Sequence, residues 1–148
     1  MNHLEFPIRE QSQIQSLLPH RPPMIMVGGL LYFDETSTIS EFKVSDTNIL
    51  LEDNYLSEAG LLENMAQTAA LDIGYRNSLI GSLPREGYIA AIQKATITEL
   101  PKIDDIIQTE VATDFESDSL RKVTITTRLN KKIIAIAQMT TILKSESE

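Results

Sequence analysis

A chain of 148 residues with 42% apolar and 23% charged residues has the composition of a globular protein and not of a disordered or fibrous one, and its length would bury roughly 68 to 70% of the unfolded surface. A formal net charge of -8 argues against nucleic acid, since phosphate contacts need clustered Lys and Arg. The absence of Cys excludes disulfides, thiolate nucleophiles and the common structural zinc sites, and two His leave little room for a metal site. No apolar run reaches the ~18 residues needed to span a bilayer, and Met1 to Phe6 lacks the layout of a signal peptide. A cytoplasmic protein without membrane, metal or cofactor is the expectation.

The first element is a short helix within Ile8 to Leu18, with Ile14, Leu17 and Leu18 at helical spacing. Pro19, Pro22 and Pro23 stop it. Met24 to Phe33 is a continuous apolar run whose Gly28-Gly29 fits a buried strand with a bulge or close backbone approach. After a turn at Asp34-Glu35-Thr36, Ser40, Phe42 and Val44 alternate with Ile39, Glu41 and Lys43, the period of a strand. Ser57 to Tyr75 carries the strongest helical signal. Ser57 is the N-cap and Glu58 supplies first-turn negative charge, while Leu61, Met65, Ala69 and Ile73 form a stripe beside Leu62, Ala66 and Ala70. A face so broad and rich in alanine suits a helix lying close against a sheet.

Asn77 to Gly87 reads as a loop, and four strands follow: Tyr88 to Leu100, Ile106 to Phe115, Leu120 to Leu129 and Lys132 to Leu143. Their short connections imply antiparallel neighbours. The paired basic residues at Arg121-Lys122 and Lys131-Lys132 read as solvated strand ends. The layout is α+β: a single domain over 1–148, an N-terminal arm and short helix over 1–20, and a disordered tail over 144–148. An antiparallel sheet wrapped around one long central helix is the hotdog fold.

Glu63 lies between the two apolar stripes with Gln67 one turn later, so their side chains can meet. Desolvating a carboxylate disfavours its charged form, which is how a glutamate becomes an acid or base useful near neutral pH. An isolated helix glutamate more often reaches solvent or pairs with a base. The surrounding segment from Leu61 to Ala70 (Leu-Leu-Glu-Asn-Met-Ala-Gln-Thr-Ala-Ala) resembles the central-helix motif of the β-hydroxyacyl-(acyl-carrier-protein) dehydratases, in which the Glu is catalytic. Leu18-Pro19-His20-Arg21 is similar to the segment that leads into that family's first core strand. Tyr88 to Ala95, followed by Leu100-Pro101-Lys102-Ile103-Asp104-Asp105, is similar to its third strand and Pro-Gly-Asp turn. The three ordered matches run from Leu18 to the strand that contains Val111.

The resemblance implies a catalytic Glu63, oriented by Gln67, and also a His about fourteen residues earlier. That position is Ile49, and no His occurs between Arg21 and Glu63. The family's Pro-Gly turn is replaced by Ser57-Glu58-Ala59-Gly60. His20 is a further candidate, although its family position favours a structural role, and His3 is a weaker one. Asn48 and Asn54 stand near the vacated position as groups for a thioester or hydroxyl, and the backbone N–H groups near Gly60 and Leu61 could polarise a thioester carbonyl.

Three functions follow. One is dehydration of a 3-hydroxyacyl thioester, held on acyl carrier protein or coenzyme A, in fatty-acid or polyene-pigment type biosynthesis, with the missing base supplied by a partner subunit. Hotdog active sites resemble clefts at dimer interfaces, and relatives of the aryl-polyene pathways look similarly altered. The assembly would be a homodimer, a higher multiple of dimers, or a mixed dimer with a His-containing homologue. The second is thioester hydrolysis by Glu63, and the third an inactive subunit that binds acyl chains. Acyl carrier proteins are acidic, so docking would need a local basic patch; Arg85, Lys94, Lys102, Arg121 and Lys122 are the candidates.

Overall fold

The computed structural model describes residues 6–81 and 87–143; His3, Arg85 and the tail 144–148 lie outside them. Two helices, α1 (Gln11–Leu17) and α2 (Glu58–Leu79), accompany eight strands: β1 (Gly29–Phe33), β2 (Ser37–Lys43), β3 (Leu51–Glu52), β4 (Tyr55–Leu56), β5 (Gly87–Ile97), β6 (Ile106–Glu116), β7 (Leu120–Leu129) and β8 (Lys132–Leu143). Six strands form one antiparallel sheet in the order β1-β2-β6-β7-β8-β5, and β3 pairs with β4 apart from it. The fold is α+β and hotdog.

Alternation decides which strand residues meet α2. Thr38, Ser40 and Phe42 of β2 are buried while Ile39 and Glu41 are half-buried, and Val123, Ile125 and Thr127 of β7 are buried in the same way. The main core lies between that face and α2, with Leu61, Met65 and Ala69 against Phe42, Ile107, Val111 and Ile125. A second cluster holds α1 on the C-terminal half of α2, where Ile14 and Leu18 pack with Leu71, Tyr75 and Leu30.

Three expectations need correction. The first helix begins at Gln11, because Ile8 exchanges two backbone hydrogen bonds with Leu30 at 2.8 and 2.9 Å, giving the sheet-edge strand β1 the partners it otherwise lacks. The first strand begins at Gly29 and not at Met24, since the backbone of Met24 and Met26 is taken up by side chains of α2. Of the two roles expected for Gly28-Gly29, close approach is the one seen, a Cβ at Gly29 lying 3.3 Å from the Ile8 carbonyl, while the register slips further on, between Leu30 and Tyr32. Finally, α2 runs on to Leu79 where a loop was expected from Asn77: Gly81, Pro84 and Gly87 mark a loop in the sequence, but Leu79 packs into the second cluster and the helix continues to it.

The β3–β4 hairpin went unread, since two-residue strands show no period. Its turn, Asp53-Asn54, has φ of 51° and 69°, and the β7–β8 turn at Asn130-Lys131 repeats the same values. Both are two-residue turns with positive φ at each centre, the twist-matched type for hairpins.

Candidate active site

The start of α2 is built by local bonds. Ser57 Oγ accepts from the Gly60 N–H at 3.1 Å, the N-cap expected from sequence. The Leu61 N–H donates to the Ser57 carbonyl at 2.9 Å, and the Ser57 N–H to Leu50 at 2.9 Å. Both backbone donors proposed for a thioester carbonyl, those of Gly60 and Leu61, are therefore already engaged.

One turn further on, Glu63 is half-buried and Gln67 fully buried. Gln67 Nε2 donates to Glu63 Oε2 and to the Met24 carbonyl, each at 2.8 Å, while Gln67 Oε1 accepts from the Met26 N–H at 2.7 Å. All three bonds agree on one amide orientation, so the nitrogen side faces Glu63. Asn64 Nδ2 donates to the Met26 carbonyl at 2.6 Å and Asn64 Oδ1 accepts from Thr109 at 2.7 Å. Met26 is thus clamped by α2 through both its backbone groups, and the clamp holds Gln67 against Glu63.

Asn48 joins this group through Met26. Its Nδ2 reaches Met26 Sδ at 3.1 Å while its Oδ1 accepts from the Leu50 N–H at 2.8 Å. A thioether is a weak acceptor, so this amide is only lightly committed. Asn54 is different: it is exposed in the β3–β4 turn and its carbonyl takes the Ile103 N–H at 3.0 Å. His20 is half-buried, its Nδ1 without a partner among the described residues, and no hydrogen bond joins it to Glu63 there. Capping belongs instead to Arg21, whose Nη1 donates to the carbonyls of Gln15 and Leu18 at the end of α1. Ile49, at the spacing of the family His, is 49% exposed and offers no proton acceptor.

The C-terminal half of α2 holds a second carboxylate that the sequence reading passed over. Asp72 is fully buried and bonds Arg121, Thr38 and, at 3.4 Å, Arg76. Arg121 also reaches Thr113. The expectation of Arg121 as a solvated strand end and docking cation is overturned: it is 3% exposed and points inward on β7, where alternation faces it to α2. Burial pushes its guanidinium down to about 10, which leaves it charged at neutral pH. Lys94, Lys102 and Lys122 are exposed. Asn64, Thr68 and Asp72, each four residues apart, form a buried polar row against Thr38, Ser40 and Thr109. Polar residues at that spacing read as a solvent face; the hydroxyls at core-facing positions of β2 were the available signal that they are not.

The structure is similar to that of the dehydratase heterocomplex ApeI:P from Xenorhabdus doucetiae, with a TM-score of 0.84 at 12% identity over 91% of this chain and 93% of that one. A hypothetical thioesterase with coenzyme A from Streptococcus pneumoniae TIGR4 (TM-score 0.63, 12% identity, 78% and 84% covered) and smu.793 from Streptococcus mutans UA159 bound to acetyl CoA (0.63, 14%, 78% and 87%) share the fold. A search of curated proteins by sequence finds no match. The ApeP-like family, described as ApeP dehydratase, matches residues 12–148, and with nearly the whole chain aligned to it this protein belongs to the ApeP-like family of dehydratase-like hotdog proteins.

Proposed function

We propose that this chain is a cytoplasmic dehydratase subunit acting on 3-hydroxyacyl thioesters carried by acyl carrier protein or coenzyme A, in fatty-acid or polyene-pigment type biosynthesis. The observation that carries the reading is the Glu63–Gln67 hydrogen bond, fixed from behind by Met24 and Met26. Oε2 accepts from the Gln67 amide, so Oε1 is the oxygen through which this mechanism delivers a proton. Glu63 donates that proton to the departing 3-hydroxyl, which leaves as water, while a base removes the C2 proton and its electron pair closes the double bond. In this reading Asn48 trades its thioether contact for the thioester carbonyl.

The base comes from a second chain. Strand β5 is an edge of the sheet, and Ala91 to Thr96 are exposed on both of its faces, including Ile92 at 45%. An exposed sheet edge with free backbone groups is a site for strand pairing. A His-bearing homologue paired there would supply the acceptor that Ile49 cannot.

The test is to incubate the protein, alone and with such a homologue, with 3-hydroxyacyl and plain acyl thioesters and to follow products by mass spectrometry. The expected result is alkene formation by the pair, above the homologue alone and about 10² to 10⁴-fold lower with Glu63→Gln. No gain over the homologue sinks the assisted mechanism. Glu63-dependent free thiol would reassign the site to hydrolysis, and acyl binding without turnover to a binding subunit.

A further inference from the structure

At the other end of α2, roughly 20 Å from Glu63 along the helix axis, a cavity of about 440 Å³ opens between the last turn of the helix and the β6–β7 turn. Arg76, Asn77 and Arg121 line it together with Ile73, and so do Glu116 and Asp118, which are exposed. Each of the first three carries a buried N–H with no acceptor among the described residues: Arg76 Nε, Asn77 Nδ2 and Arg121 Nε. The Arg121 side chain is only 4% exposed. Unsatisfied buried donors are costly, and three of them gathered on one cavity call for an acceptor. Within the fold the two guanidiniums share a single buried carboxylate, Asp72, and the other two carboxylates of the lining are exposed to solvent.

We propose that this cavity binds a small monocarboxylate. A planar group with two acceptor oxygens matches guanidinium N–H donors better than a spherical anion does. Single charge is favoured because Glu116, Asp118 and the carbonyl end of α2 all oppose a second negative charge. The volume lies near the lower limit for metabolite pockets, and Ile73 offers a short alkyl group one apolar wall. The site is separate from the Glu63 end of the helix and does not depend on the activity assigned there.

The experiment is to titrate the isotope-labelled full chain with sodium propionate, with sodium chloride as the salt control, and to follow the Nε–H resonances of Arg76 and Arg121 by NMR. A saturable shift with a Kd on the order of 1 mM is expected, reasonable for so small a ligand. Asn77→Leu and Arg76→Gln should each weaken it about 5-fold or more, in line with a lost charge-assisted bond. Glu116→Gln with Asp118→Asn should tighten it and let inorganic phosphate compete. Arg121 is left intact because its removal would strand Asp72. A response no different from chloride overturns the proposal, and so does a saturable one that the Asn77 and Arg76 variants leave unchanged.

Discussion

The two halves of α2 each carry an acidic residue inside the fold, and they are held in opposite ways. Near the N-terminus Glu63 is half-buried and reached by one neutral amide. Near the C-terminus Asp72 is fully enclosed and bonded to a guanidinium, a hydroxyl and a second, more distant guanidinium. A carboxylate meant to exchange a proton needs an uncommitted oxygen, whereas one that neutralises a buried cation needs every lone pair occupied. On the proposed function the helix divides into a chemical half and a structural half, and side-chain partners mark the division better than burial alone.

The largest expected effect tests the structural half. Asp72→Ala strands the Arg121 guanidinium without its partner carboxylate, and breaking a buried pair in this way costs about 3 to 5 kcal/mol. The variant should show a much lower urea midpoint. Replacing both members, Asp72→Leu with Arg121→Met, should recover most of that loss, because neither charge then has to be buried alone. If the double variant is no more stable than the single one, the pair is not what Asp72 serves.

A smaller contrast comes from two glycines. At Gly74 an added methyl group would run into the backbone carbonyl of Leu17, which cannot turn aside, so α1 must lift from α2. Gly74→Ala should cost at least the ~1 to 3 kcal/mol of an overpacked core. At Gly60 the obstacles are the side chains of Leu56 and Leu50, which can move, and Gly60→Ala should cost less in thermal unfolding. The N-cap ranks near Gly60: Ser57→Ala removes the acceptor of the Gly60 N–H and should cost about 1 kcal/mol. An equal loss at the two glycines would show that both ends are equally rigid.

The same division explains what could be read in advance. Strands β7 and β8 show their period or apolar run directly and end at turns, so their limits, 120–129 and 132–143, are those expected. Glu63 and Gln67 stood out because a four-residue spacing on a strongly periodic helix implies contact, and the contact is there. Asp72 and Arg121 did not, because their meaning lies in a pairing across 49 residues. Each alone looks like an ordinary surface charge. The β3–β4 hairpin is too short to carry a period, and the bonds of Gly60 and Leu61 to Ser57 depend on a helix start that has lost the family's Pro-Gly turn.

The smallest effect on stability is expected where the effect on chemistry is largest. Glu63→Gln keeps shape and volume and removes only the carboxylate. Gln67 Nε2 can still donate to the new side-chain carbonyl, since an amide oxygen accepts as a carboxylate oxygen does. Stability should therefore stay within about 0.5 kcal/mol of the parent, as for substitutions away from tightly bonded sites. Yet the amide cannot release a proton to a departing hydroxyl, so alkene formation by the assisted pair should fall as a lost general acid requires. Denaturant unfolding and product analysis on the same preparation check both halves. A Glu63→Gln variant that unfolds as readily as Asp72→Ala would mean that the two carboxylates do the same structural work, and the division of α2 would fail.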